Sequence, residues 1–206
     1  MNTTVHTFTK DTCSNPLAKQ ETRERTLRNV MAMAQWDGYL TEDWVDLCGH
    51  EDETLQLLLA HNALIPGKGR YLGINDSPLV IAANKAFFAK EIQQGLCEFR
   101  CGDWNNLIQG DWTSKVSILS YDGFASVGRN KLQQTLDSTI RIAKRQRDVY
   151  GQALLYLNLS KWAGADLKPY VEFLSKTFEH SITEDQVHIY VSKRVPMASI
   201  WLRLGF

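Results

Sequence analysis

The sequence predicts a doubly wound α/β domain: a seven-stranded, mostly parallel sheet that closes on an antiparallel hairpin and carries an N-terminal helical extension. Three observations lead there. Five short apolar runs alternate with segments of helical periodicity. The fifth run, Ala153 to Leu159, is apolar save for Asn158, as suits a strand buried on both faces. The last two runs are joined by a handful of residues, too few for a parallel crossover, so they must lie antiparallel.

A first helix is predicted from Pro16 to Gln35. Asn15 caps it, Pro16 suits its first position, and Leu17, Leu27, Val30, Met31 and Ala34 supply an apolar stripe. Gly38 ends the segment. The first strand, Trp44-Val45-Asp46-Leu47-Cys48, stops at Gly49, and Leu55, Leu57, Leu58 and Leu59 mark a helix from Glu53 to His61. After the breaker Pro66-Gly67-Lys68-Gly69 comes a second strand, Arg70 to Ile74. Ser77 caps the next helix, with Pro78 in its first turn, and the helix is expected to reach Gln94 before Gly95. Cys97 to Cys101 is the third strand. Val116 to Ser120 is the fourth, ending at Tyr121-Asp122-Gly123. A long helix from Arg129 to Tyr150 presents Leu132, Leu136, Ile140 and Ala143 on one face. The fifth strand, a helix from Asp166 to Phe178, and the hairpin strands Val187 to Val191 and Ser199 to Leu204 complete the chain.

Lys plus Arg and Asp plus Glu both number 23 in 206 residues, so no global field draws the protein to nucleic acid or to an anionic membrane. No apolar run approaches the roughly 18 residues that span a bilayer. The segment from Met1 to Pro16 has no apolar core of a secretory signal and reads as a frayed arm. Cys97 and Cys101 sit four residues apart on one strand, about 13 Å, too far for a disulfide and wrong for a zinc knuckle. Together with Cys13 and Cys48 they read as reduced cysteines of a cytoplasmic protein. Residues 1–41 are expected to form an arm and helical cap, and 42–206 the α/β domain.

In an open sheet of this kind a ligand sits beyond the carboxyl ends of the strands, where strand order reverses. Four such ends carry suggestive chemistry. The first is Asp46-Leu47-Cys48-Gly49-His50-Glu51-Asp52, the second Tyr71-Leu72-Gly73-Ile74-Asn75-Asp76-Ser77-Pro78, the third Cys101-Gly102-Asp103-Trp104 and the fourth Ser120-Tyr121-Asp122-Gly123. The order of elements and these ends resemble class I S-adenosylmethionine-dependent methyltransferases, over about Glu42 to Phe206. The resemblance implies S-adenosylmethionine as cofactor. In that family an acid at the place of Asp46 helps hold the ligand's ammonium, and three alternating glycines follow. Here Cys48, His50 and Asp52 take the glycine places, and Gly49 is the single permissive residue nearby. The family's ribose-binding acid corresponds to Asn75, with Asp76 one residue later. Its adenine site corresponds to Asp103, which would accept from the amino group, and Trp104, which would pack on the ring.

The fourth end is where the family keeps catalytic or substrate-facing residues, so Asp122 and Tyr121 are the candidate bases. The segment lacks the Asp-Pro-Pro-Tyr or Asn-Pro-Pro-Tyr signature of enzymes that methylate exocyclic amines of nucleic acid. No Pro-Cys pair offers the nucleophile of a cytosine C5 enzyme. Asp122-Gly123 loosely resembles the Asp-Gly of metal-assisted O-methyltransferases, but Asn158 alone offers a further oxygen, and no metal is expected. Arg141, Lys144, Arg145 and Arg147, with Arg129 and Lys131 earlier, read as a solvated helix face. Trp162, just past the fifth strand, is a candidate border of the substrate cleft, while Trp36, Trp44, Trp112 and Trp201 read as packing.

The leading expectation is therefore a methyltransferase acting on a small molecule in preference to nucleic acid, with the first helix as part of a substrate lid and no membrane partner. A methyltransferase-like binding or scaffold protein without catalysis comes second, favoured by the missing glycines and by Asn75. An RNA methyltransferase using the basic helix comes third.

Overall fold

Seven strands, β1 (Asp43–Leu47), β2 (Tyr71–Asn75), β3 (Cys97–Cys101), β4 (Val116–Val127), β5 (Ala153–Lys161), β6 (Val187–Ser192) and β7 (Val195–Leu204), form one sheet in the computed structural model. The structure describes residues 16–31, 38–110, 116–127, 132–161, 166–192 and 195–205. Strand order is β3-β2-β1-β4-β5-β7-β6, and β7 alone runs antiparallel to its neighbours. The predicted fold class is therefore observed. The order reverses between β1 and β4, which sets the switch point beside Asp46 and Ser120.

Helices cover both faces. On one face, α5 (Trp104–Leu107), α6 (Leu132–Tyr150) and α7 (Lys168–Phe178) pack through Trp104, Leu136, Ile140, Leu174 and Phe178 onto Val45, Leu72, Leu119, Leu155 and Leu202. On the other, α1 (Pro16–Met31), α2 (Glu53–Ala60), α3 (Pro78–Phe87) and α4 (Ala89–Gln93) pack onto Trp44, Tyr71, Phe99, Ile118 and Trp201.

Register fixes the second face row by row. Its lowest row, Cys97, Tyr71, Trp44, Ile118 and Leu154, is mostly apolar and ends at Arg203 on β7. The next is Phe99, Gly73, Asp46, Ser120, Tyr156 and Trp201, with polar groups at its centre. Toward the carboxyl ends follow Cys101 and Asn75 on β3 and β2, and Asp122, Asn158, Ser199 and His188 on β4, β5, β7 and β6. Successive side chains on a strand point to opposite faces, so this face grows polar toward the ligand edge while the other stays apolar.

Three expectations are corrected. The helix expected from Ser77 to Gln94 breaks at Phe88, which is buried and stacked on Phe99 at 5.8 Å between ring centres. Strand β4 does not end before Tyr121: it runs on to Val127, with a register irregularity between Asp122 and Ser126 where it re-pairs with β5. Helix α1 buries Thr22, Thr26, Leu27 and Val30, while Leu17 and Met31 of the expected stripe are exposed. Helix α1 packs in the same layer as α2, α3 and α4, and the Trp201 indole donates to Thr26 Oγ1 at 2.9 Å inside the core. Asn15, Ala34, Trp36, Trp112, Arg129, Lys131, Trp162 and Cys13 lie outside the described residues. Cys48, Cys97 and Cys101 are free thiols, and no helix among the described residues is long and apolar enough to cross a membrane.

Replacing Thr26 by Val keeps the shape of the contact and strands the Trp201 N–H. The expected cost is about 1–3 kcal/mol of folding stability, read as a lower urea midpoint at unchanged slope.

Candidate ligand-binding site

Between β1 and α2 the chain turns through Cys48 to Asp52. The left-handed residue is Glu51, at φ 51°, and not Gly49, which has open space around it and no unusual φ. Gly49 is thus not the residue that permits the turn, and side chains hold it instead. Asn75 Nδ2 donates to the Cys48 carbonyl at 2.7 Å, and Asn84 Nδ2 on α3 donates to the Gly49 carbonyl at 2.8 Å. Asp52 caps α2 by accepting from the Leu55 N–H at 3.2 Å. Its second oxygen lies 2.6 Å from the Tyr71 hydroxyl, which also stands 2.7 Å from Asp46.

Asp46 is buried at the switch point. Burial raises its carboxyl above the ordinary value, and hydrogen bonds from Ser120, Tyr71 and Thr54 work the other way. It faces the ligand edge but is enclosed by protein partners. At the end of β2, the Asn75 amide is engaged on both sides: its oxygen accepts from the Ser77 N–H at 2.8 Å while its NH2 holds Cys48. The exposed side chain at this end is that of Asp76.

The third end corrects the expected adenine platform. Trp104 is 4% exposed, donates to Thr139 Oγ1 on α6 at 2.7 Å and meets Tyr121 edge-on at 5.6 Å. Its indole belongs to the core of the opposite face, so it presents no open ring. Asp103 is exposed and caps α5 through the Asn106 N–H at 3.2 Å.

At the fourth end the pleat separates the two candidate bases. Tyr121 is buried with Trp104, and burial raises its hydroxyl above the ordinary value, so it does not share the ligand face. Asp122 does. Its Oδ1 accepts from Asn158 Nδ2 at 2.7 Å, and Asn158 Oδ1 in turn accepts from Tyr190 at 3.0 Å and Ser199 at 3.1 Å. The two donors fix the amide's orientation, so Asn158 turns its NH2 and not its oxygen toward Asp122. This is the wrong polarity for sharing a cation, and no group of three metal-ligating side chains occurs among the described residues. A separate cavity of about 660 Å³ lies against edge strand β3, where Arg70 and Arg100 already pair with Glu98.

Sequence reasoning missed Asn84, Tyr71 and Ser199 as parts of this site. Asn84 left a trace: it interrupts the buried stripe Val80, Ile81 and Phe88 with a polar side chain.

No family model matches the sequence, and no curated protein matches it. Solved structures do share the fold. Precorrin-6y C5,15-methyltransferase from Geobacter metallireducens matches at a TM-score of 0.54 and 12% identity, over 94% of this chain and 92% of that one. An rRNA methylase from Streptococcus thermophilus matches at 0.52 and 10%, over 90% and 96%. The protein aTrm5, in complex with tRNALeu, matches at 0.53 and 12%, over 89% of this chain and 45% of that one. The chain therefore has the α/β fold of these methyltransferases.

Replacing Asn75 by Asp would restore the acid usual for the fold at that position but would aim a carboxylate at the Cys48 carbonyl. A loss of roughly 1–3 kcal/mol in chemical denaturation is expected, against near-neutrality if the side chain serves the ligand alone.

Proposed function

We propose that the chain is an S-adenosylmethionine-dependent methyltransferase that acts on a small molecule. The observation that carries this reading is the polar row at the carboxyl ends, on a methyltransferase sheet, ending in an Asp122 oriented by Asn158. The donor set suits such a cofactor. Asp76 and Asp103 are exposed at the ends of β2 and β3, fit to accept from hydroxyl and amino groups, and Asp46 adds an acid beside the switch point. When bound, the cofactor supplies a methyl group on a sulfonium, itself a good leaving group. The chain's part is alignment and proton removal: Asp122 accepts the proton that the acceptor's O–H or N–H gives up as its new bond to carbon forms.

A small-molecule acceptor is favoured over RNA by the position of the basic helix. Helix α6 packs on the face opposite the polar row. Arg141 bonds Gln109, Arg147 bonds Asp148 and the Phe178 carbonyl, and Lys144 lies over the Phe178 ring. A second reading, a methyltransferase-like binding protein without turnover, is supported by the loop itself. Its glycine places hold Cys48, His50 and Asp52, and its carbonyls at Cys48 and Gly49 already have partners.

Isothermal titration with S-adenosylmethionine is expected to give saturable heat, and its absence would sink the cofactor reading. With methyl-labelled cofactor, label should enter the small-molecule fraction of a cell extract and not its RNA. Asp122→Asn should lower that incorporation by about 100-fold or more while leaving binding in place. Binding with no incorporation into any fraction would instead support the second reading.

A further inference from the structure

Two buried carboxyls meet one buried hydroxyl. Asp46 is 4% exposed, Asp52 2% and Tyr71 0%. The Tyr71 oxygen lies 2.7 Å from Asp46 Oδ2 and 2.6 Å from Asp52 Oδ2. A phenol has one proton and can donate to one of them. Oxygens in the remaining contact, closer than 3 Å, repel unless the carboxyl brings a proton of its own.

The surroundings say which carboxyl it is. Tyr71 is the donor at Asp46, 2.7 Å away, and the hydroxyl side chains of Ser120 and Thr54 near it favour its ionised form. Asp52 uses Oδ1 to cap Leu55, which leaves Oδ2 to carry hydrogen. The chain therefore runs Asp52 Oδ2–H to Tyr71 Oη–H to Asp46 Oδ2. We propose that the Asp46–Tyr71–Asp52 unit holds one proton beyond the phenol's own, resident on Asp52, which latches the loop between β1 and α2 to the sheet and is given up as pH rises.

Groups facing the unit come from every neighbouring element. Arg23 of α1, paired with Glu53 of α2, favours ionisation of Asp52. Cys48 beyond β1, Cys97 of β3 and Tyr156 of β5 sense the same negative charges, Asp122 of β4 adds its own charge against that of Asp46, and from α3 the neutral Asn84 holds the loop carbonyl. Burial first, and then the charge of Asp46, pushes the Asp52 carboxyl up to about 7. A carboxyl raised in the folded chain stabilises it fully below the unfolded value, and that contribution is lost as pH rises through the folded value. The window runs from about 4 to about 7, and within it the folded-to-unfolded ratio falls by up to about tenfold per pH unit. His188, lowered by burial, contributes the opposite slope, so the reading is taken by difference.

Asp52→Asn supplies a permanent N–H to Tyr71 and keeps an oxygen for Leu55. Urea denaturation of the full chain between about pH 5 and pH 8 is expected to show wild type losing stability relative to Asp52→Asn, with the variant the more stable above neutrality. Parallel pH profiles for the two proteins would overturn the proposal. Infrared difference spectra of the folded wild type, with no variant needed to fold, should show a protonated-carboxyl band at about pH 6 that vanishes above neutrality. No such band would equally overturn it. In Asp46→Asn, which removes the neighbouring charge, the stability transition should move to lower pH.

Discussion

The pleat governs where chemistry can occur in this molecule. A parallel sheet covered on both faces leaves a strand no side on which to expose polar groups. Toward the carboxyl ends polarity gathers on one face, through Asp46 and Cys48, Asn75, Ser120 and Asp122, and Tyr156 and Asn158, while at the opposite end the buried Asp43 is paired with Arg70. Residues one position away belong to the opposite core, as Leu47, Ile74, Tyr121 and Leu157 do. The same parity that gathers Asp122, Asn158 and Ser199 therefore removes Tyr121, and, past the end of β3, Trp104 also joins the opposite core.

An unpaired polar group buried in that row costs about 1–3 kcal/mol, and most of them find partners, with His188 Nε2 an exception. Asparagine is the recurrent solution. Asn75, Asn84 and Asn158 each present a donor to an oxygen of another strand or loop, Cys48, Gly49 and Asp122 respectively. A neutral amide does this without the desolvation penalty of a charge. It also replaces a device: where glycines would let backbone conformation shape the first loop, two side chains, Asn75 and Asn84, hold its carbonyls from outside, and Glu51 takes the left-handed turn.

Most of the fold was legible because it rests on local periodicity. Apolar runs marked all seven strands, and the short link before β7 settled its direction. What escaped depends on tertiary contacts. Phe88 stops a helix because it stacks on Phe99, and Thr22 and Thr26 line the buried side of α1 because Trp201 offers an N–H there. No window of sequence contains those pairs. The site divides the same way. Asp46 and Asp122 stand out in the sequence by their place at strand ends, a rule of topology. Their partners, Tyr71 and Asn158, are 25 and 36 residues distant, and the lone glycine that drew attention in the first loop has no conformational task.

The two oxygens of Asp52 separate two jobs that a smaller residue would merge. Oδ1 caps α2 through Leu55, and a carboxyl accepts that bond in either protonation state. Oδ2 meets Tyr71, and that contact depends on the proton. Loss of the proton thus leaves the helix capped and weakens only the tie between the loop and β2, with Asn75 and Asn84 still holding the loop's carbonyls. Helix α2 is the stiff element and the sheet is the other; the five residues between them are the part that responds. A titratable group placed at this junction acts on the ligand edge without disturbing the core beneath it, because Trp44, Tyr71 and Leu55 keep their apolar packing whatever the charge above them.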